Sequence, residues 1–179
     1  MKLEPIDRQE IIASERFDLR PLRASDAGMI ALYTGDERVA RNTASIPHPL
    51  PPGAAEAFVA RVRAPERTED VWAIDGSKSG GAEVMGVVAL ERVDRGQSEL
   101  SFWVAPAYWN SGVASAAIDA LLSANPQEAR CVFASVFQDN PASARVLTNR
   151  GFQYLGDAET FSVARGAKVP IWTYSLKLG

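Results

Sequence analysis

The sequence predicts a mixed α/β domain: a sheet with helices on both faces. Three observations lead there. Across Glu99–Leu122 the apolar spacing changes from two, at Leu100, Phe102 and Val104, to a helical spacing at Ala114, Ala117, Ile118, Leu121 and Leu122. The run Cys131–Phe137 (CVFASVF) is almost wholly apolar, as in a strand buried on both faces. Strand-like and helix-like segments interleave along the chain instead of segregating into blocks.

Arg16–Leu22 alternates and reads as a first strand. Ser25-Asp26 offers an N-cap for a helix through about Tyr33, stopped near Gly35. Ile46-Pro47-His48-Pro49-Leu50-Pro51-Pro52-Gly53 is too rich in proline for regular structure and should be an ordered turn. A helix follows over about Ala54–Val62. Val71–Ile74 and Val84–Val93 read as strands separated by a hairpin-type turn at Asp75–Ala82 (DGSKSGGA). Ser98–Val104 is the next strand, then a helix over 111–123, then the strand Cys131–Phe137. A short helix over about Pro141–Asn149 ends at Gly151. Phe152–Leu155 and Ile171–Leu176 form a last pair of strands, with Arg165-Gly166-Ala167-Lys168 near their turn.

A chain of 179 residues fits one domain over 1–179, large enough to bury a core. Apolar and charged fractions of 46% and 23% are those of a globular protein. A net charge of −3 gives no global attraction to nucleic acid or to an anionic membrane. One cysteine, Cys131, excludes an internal disulfide framework. The opening residues LEPIDRQE carry no apolar leader, and no run approaches the roughly 18 apolar residues of a membrane span. These readings give a cytoplasmic expectation.

The small residues of the turn Asn110-Ser111-Gly112-Val113-Ala114 open a helix whose first N–H groups face outward, a seat for phosphate. A phosphorylated cofactor is therefore expected. Four segments then show a resemblance. Phe17-Asp18-Leu19-Arg20-Pro21-Leu22 with Ser25-Asp26-Ala27, the prolines Pro47 and Pro49 before a helix, Glu99 through Ser115, and Asn140-Pro141-Ala142-Ser143-Ala144-Arg145-Val146-Leu147 with Gly151-Phe152 together resemble the GNAT acyl-CoA N-acyltransferases. Within that family it looks like the branch that includes the RimJ/RimL-type ribosomal-protein N-terminal acetyltransferases.

The resemblance implies a mostly antiparallel central sheet and acetyl-CoA as co-substrate. It implies that backbone groups of Phe102, Trp103 and Val104 meet the pantetheine arm, that Asn110, Ser111, Gly112, Val113, Ala114 and Ser115 wrap the pyrophosphate, that Asn140 bonds the pantetheine, and that Ser143 sits near the sulfur. An open strand edge suits an amide-rich arm, and a helix N-terminus suits a pyrophosphate. The turn departs from the family by carrying Asn110 and Ser111 where a glycine and a basic residue are common, which shifts the load to backbone dipoles or to Arg145. The family's frequent tyrosine, seven residues after the asparagine, is Leu147 here. A thiol of pKa about 8.5 leaves readily without it.

The implied reaction is direct attack of a neutral amine on the thioester. An α-amine of pKa about 7.7–8.0 is neutral in roughly a tenth of molecules at pH 7, a lysine amine in fewer than about one in a thousand. A single carboxylate can therefore serve an α-amine, with strand N–H groups stabilising the oxyanion. Glu99 is the candidate base; its alternative is a solvated strand-end glutamate. Glu83 and Glu159 are rivals. Ser143 either donates to the sulfur or caps its helix, and Asn140 is a ligand, a cap or both.

His48, the only histidine, and Trp72 are candidate substrate contacts. The alternatives are a solvated histidine and a packing tryptophan, as for Trp103, Trp109 and Trp172. No metal cluster is expected. Cys131 is expected to be a buried, inert thiol. Arg61, Arg63 and Arg67 read as a solvated helix face or, second, as contacts for an acidic substrate. The acceptor is a protein N-terminus or a small amine. The rivals are an antibiotic, amino-acid or polyamine acetyltransferase and a non-catalytic acyl-CoA-binding domain. A homodimer through an edge strand near the C-terminus is compatible with the pattern.

Overall fold

The computed structural model describes residues 9–179; the leaderless reading of the opening residues falls largely on 1–8, outside them. Eight strands form one sheet in the order β1-β2-β3-β4-β5-β6-β8-β7. They are β1 (Ile12–Ala13), β2 (Asp18–Pro21), β3 (Glu69–Asp75), β4 (Gly86–Asp94), β5 (Gln97–Val104), β6 (Cys131–Phe137), β7 (Gln153–Ser162) and β8 (Ala167–Lys177). The helices are α1 (Ala27–Thr34), α2 (Glu37–Ala40), α3 (Ala54–Arg63), α4 (Val113–Ala124) and α5 (Pro141–Thr148). All strand pairs are antiparallel except β5 with β6.

Alternation sends opposite sides of each strand into two cores. One core joins Leu19, Trp72, Ile74, Val88, Leu90, Leu100 and Val132 to α4 and α5 through Val113, Ala117, Ile118, Leu121 and Leu147. The other joins Val71, Ala73, Val87 and Ala89 to α1 and α3 through Ile30, Ala55, Val59 and Val62. Positions 55, 59 and 62 recur at helical spacing, which is why α3 lies flat on that face. The expected sheet with helices on both faces is observed.

The differences from expectation lie where local signals are weak. The first strand is shorter, and β1 and α2 are additional. Asp26 was expected to cap α1 with Ser25. Its carboxylate is instead buried against Arg20, at 2.9 Å from both Nη1 and Nη2, and accepts the Arg23 N–H at 2.7 Å. A 3₁₀ turn at Ala24–Asp26 leads into the helix. The last hairpin is much longer than expected, because β7 is exposed along most of its length and has no apolar alternation to announce it. The strand β6 is buried on one side and only partly on the other, and Cys131 is half-buried.

Candidate active site

The parallel pairing of β5 with β6 covers only Gln97–Leu100 against Cys131–Ala134. Beyond it the two strands continue, to Val104 and Phe137, without pairing to each other. The sheet therefore opens, and backbone groups of Ser101–Val104 and Ser135–Phe137 face a gap. A cavity of about 720 Å³ occupies this gap and extends over the α1/α3 face. Phe102, Trp103, Asn140 and Ser143 line it, as do Leu50, Phe58, Val71, Ala89 and Ile171.

The cavity is walled by elements far apart in sequence. The proline segment contributes Ile46, Pro47 and Leu50. The turn of the β7–β8 hairpin straps this side down. Arg165 donates to Asp139 at 2.6 and 3.0 Å and to the Arg41 carbonyl at 3.0 Å, and its guanidinium lies 4.8 Å from the Phe137 ring centre. Val163 N–H donates to the Ala44 carbonyl at 3.0 Å. Trp103 packs edge-on against Tyr33, with ring centres 6.2 Å apart.

Asn140 caps α5, its Oδ1 accepting the Ser143 N–H at 3.4 Å, with Pro141 preformed for the first helical position. Its Nδ2 donates to Ser143 Oγ at 2.9 Å. The serine oxygen is thereby used as an acceptor, which leaves its proton to donate into the cavity. Leu147 is fully buried in the α4/α5 core and does not line the cavity.

At the other end of the gap, Gly112 is the N-cap of α4 with φ of +80°, a left-handed conformation suited to glycine. No side chain caps this helix, and the Ala116 N–H makes its first backbone bond, to Gly112. The N–H groups of Val113, Ala114 and Ser115 precede it and are free of helical partners. The helix starts two residues later than the spacing suggests. Asn110 also adopts positive φ, +58°, while the Ser111 hydroxyl is turned back onto the Tyr108 carbonyl. Trp109 braces the turn through Nε1 to the Val104 carbonyl at 2.7 Å, with the Arg38 guanidinium 5.8 Å from its ring centre. Arg145 is exposed on α5 and does not line the cavity. Arg16 is the cation beside the turn: its Nη2 stands 3.9 Å from where a Cβ on Gly112 would lie. Spacing in sequence gave no hint of it, since it precedes β2 by two residues.

Glu99 faces the cavity on the side of Ser101 and Trp103, as alternation requires. Burial and the neighbouring Glu91 carboxylate push its carboxyl above the usual range. Glu91 pairs directly with Glu99 across β4 and β5, and Glu69 with Glu91 across β3 and β4. All three line the cavity. Burial and Glu91 also raise Glu69, against the opposing pull of Arg61. Neither Glu69 nor Glu91 was singled out in the sequence, because strand register cannot be read from one strand alone. Glu83 and Glu159 are exposed and do not line the cavity.

Trp72 requires a correction: it is wholly buried on the opposite core, with its indole N–H donating to the Glu10 carbonyl at 3.0 Å, so it has no surface to offer a substrate. His48 is exposed on the proline segment between two lining residues, Pro47 and Leu50, without itself lining the cavity. Arg61 lines the cavity with its guanidinium 5.4 Å from the Phe58 ring centre, whereas Arg67 reaches Asp70 at 3.4 Å. Among the described residues, no three His, Cys, Asp or Glu side chains converge as metal ligands, and no helix is long and apolar enough to cross a membrane.

The fold is similar to those of solved acetyltransferases. RimL, the ribosomal L7/L12 α-N-protein acetyltransferase, in complex with coenzyme A, superposes with a TM-score of 0.80 at 16% identity, over 94% of this chain and 98% of its own. Mycobacterium smegmatis RimJ, in complex with a CoA disulfide, gives 0.82 at 18%, over 98% and 90%. The microcin C7 self-immunity acetyltransferase MccE, with acetyl-CoA and AMP, gives 0.78 at 14%, over 92% and 94%. No curated protein matches in sequence. The sequence profile of the GNAT acetyltransferase domain matches residues 16–153, most of the chain, and the protein therefore belongs to the GNAT acetyltransferase family.

Proposed function

We propose that the protein transfers an acetyl group from acetyl-CoA to a primary amine, a protein N-terminus or a small molecule, without a metal. The observation that carries this reading is the parting of β5 from β6. It exposes a strand edge between the uncapped N-terminus of α4 and a cavity lined by carboxylates. Neighbouring folds bound to CoA or acetyl-CoA support the donor.

In this reading the N–H groups of Val113, Ala114 and Ser115, with Arg16, receive the pyrophosphate. The free edge of β5 over Phe102, Trp103 and Val104 meets the pantetheine amides, joined by Asn140. Glu99 takes the proton from the amine, directly or through one water, as the nitrogen attacks the acetyl carbonyl carbon. A C–N bond forms and the C–S bond breaks. Ser143 donates to the departing thiolate. Its oxygen already accepts from Asn140, so its proton is available to the leaving group. The raised Glu99 carboxyl suits this role, because a base nearer neutrality takes a proton with less loss of driving force.

A cytoplasmic setting accords with this donor. A homodimer through β7 accords with that outer strand's exposed Tyr154, Leu155 and Phe161. The experiment that tests the chemistry is steady-state acetyl transfer by Glu99→Gln. Loss of a general base should lower kcat/KM by about 10²–10⁴-fold, with acetyl-CoA binding retained. Full activity in this variant would show that Glu99 is not the base.

A further inference from the structure

Antiparallel neighbours normally place opposite charges or apolar pairs across from each other, and like charges there are destabilising. Here Glu69, Glu91 and Glu99 stand directly opposite one another on three consecutive strands. They form a ladder along one wall of the cavity, with a rung spacing of about 4.8 Å and about 10 Å from end to end. The charged side chains facing this wall are the three carboxylates and Arg61, which α3 brings over from above. The cavity therefore carries a net charge of about −2 when all four are ionised. Beside the ladder stand the apolar side chains of Leu50, Phe58, Val71 and Ala89, with Ser101 next to Glu99 on the same side of β5.

The reaction needs one carboxylate, and Glu99, next to the opened strand edge, fills that role. Glu91 and Glu69 are not placed to act as that base, since they lie one and two strands farther from the edge. Glu69 and Glu91 form the end pair of the β3–β4 ladder, which runs from there to Ala73 and Val87. We propose that the acceptor is an amine bearing a second positive charge about 5–10 Å from the reacting nitrogen, and that Glu91 and Glu69 bind that second charge while Glu99 serves the first. The apolar walls would cover a methylene stem, as they do for snorkelling lysines. In a peptide, at about 3.3 Å per residue, the second charge would come from a lysine or arginine side chain within the first few residues; in a small molecule, from the far end of a diamine. This inference rests on the acetyltransferase reading and names its substrate class.

The test compares matched acceptors: 1,5-diaminopentane against 1-aminopentane, and a peptide Ser-Lys-Gly-Gly against Ser-norleucine-Gly-Gly. Acetyl transfer gives kcat/KM, and thermal unfolding in the presence of CoA gives binding. The expected result is a preference of about tenfold or more for the dication in at least one pair, the gain from one charge-assisted contact. That preference should shrink as salt is raised. Glu91→Gln and Glu69→Gln should each bring the ratio toward one. The pair showing the preference identifies the source of the second charge. Equal kcat/KM within both pairs, or a preference unaffected by both substitutions and by salt, overturns the proposal while leaving the acetyltransferase reading standing. If no amine is acetylated although acetyl-CoA binds, the enzyme reading fails. The binding arm then decides the ladder by itself: stronger stabilisation by the dications supports it, and none rejects it.

Discussion

At the scale of single residues, three glutamates held in register, Glu69, Glu91 and Glu99, set the character of the cavity wall. Burial and Glu91 raise the carboxyls of Glu99 and Glu69 above their ordinary values. A carboxyl whose folded pKa exceeds its unfolded one opposes folding when ionised. The opposition is absent below the ordinary value of about 4.3 and sets in as pH rises through the folded value. Removing the central charge should relieve it. Glu91→Gln is expected to raise stability at pH 7 by about 0.2–1 kcal/mol, the worth of a like-charge cross-strand pair, with the gain fading toward pH 4. The same substitution lowers the Glu99 pKa, so the acid limb of the kcat/KM profile should move to lower pH. Arg61, facing Glu69, is unchanged in this variant. Denaturant unfolding across pH and a pH–rate profile check the two effects. A loss of stability at pH 7 would mean that Glu91 is held by a favourable partner. Glu99 was legible in the sequence because it heads an alternating strand. Glu69 and Glu91 were not, because their meaning lies in pairings across strands.

At the scale of elements, the site depends on how closely β4 approaches β5. Gly86 pairs with Val104, and a Cβ there would stand 2.4 Å from the Trp103 carbonyl oxygen and 2.9 Å from Val104 Cα. Both are backbone atoms of the strand whose opposite edge is assigned to the pantetheine arm, so the clash has no flexible side chain to yield. Gly86→Ala should therefore destabilise the fold by about 1–3 kcal/mol. It should also weaken acetyl-CoA binding more than a surface alanine of equal stability effect. Isothermal titration beside thermal unfolding separates the two, and unchanged affinity would show that this edge does not carry the arm. The strand-turn-helix from β5 to α4 was readable because its period changes from 2 to 3.6 across small residues. The same holds for α5, whose Asn140-Pro141 start is a strong local signal. The length of β7 was not readable, since an exposed strand lacks alternation. The burial of Trp72 was not readable either, because either face of β3 meets a core.

At the scale of the molecule, the sheet separates two tasks. On one face, α4 and α5 anchor the helix end and the Asn140–Ser143 pair to a core through Ile118, Leu121 and Leu147. On the other, α1, α3 and the proline segment flank the carboxylate wall, whose Glu91 and Glu99 stay exposed to solvent. A buried polar knot ties this second layer together. Arg20 donates to Asp75 at 2.7 Å, to Asp26 at 2.9 Å and to the Glu83 carbonyl at 3.0 Å. Although burial opposes ionisation of both aspartates, Arg20 and nearby hydrogen bonds hold their carboxyls below the usual range. The proposed donor and acceptor sites meet where β5 and β6 part, and that is where the chemistry is assigned. The measurement that tests this most directly is transfer of label from acetyl-labelled acetyl-CoA to the amine of an added acceptor. Enzyme-dependent, saturable labelling of the amine, with release of one CoA thiol per acetyl group, is expected. Tight binding of acetyl-CoA with no labelling of any amine would contradict it.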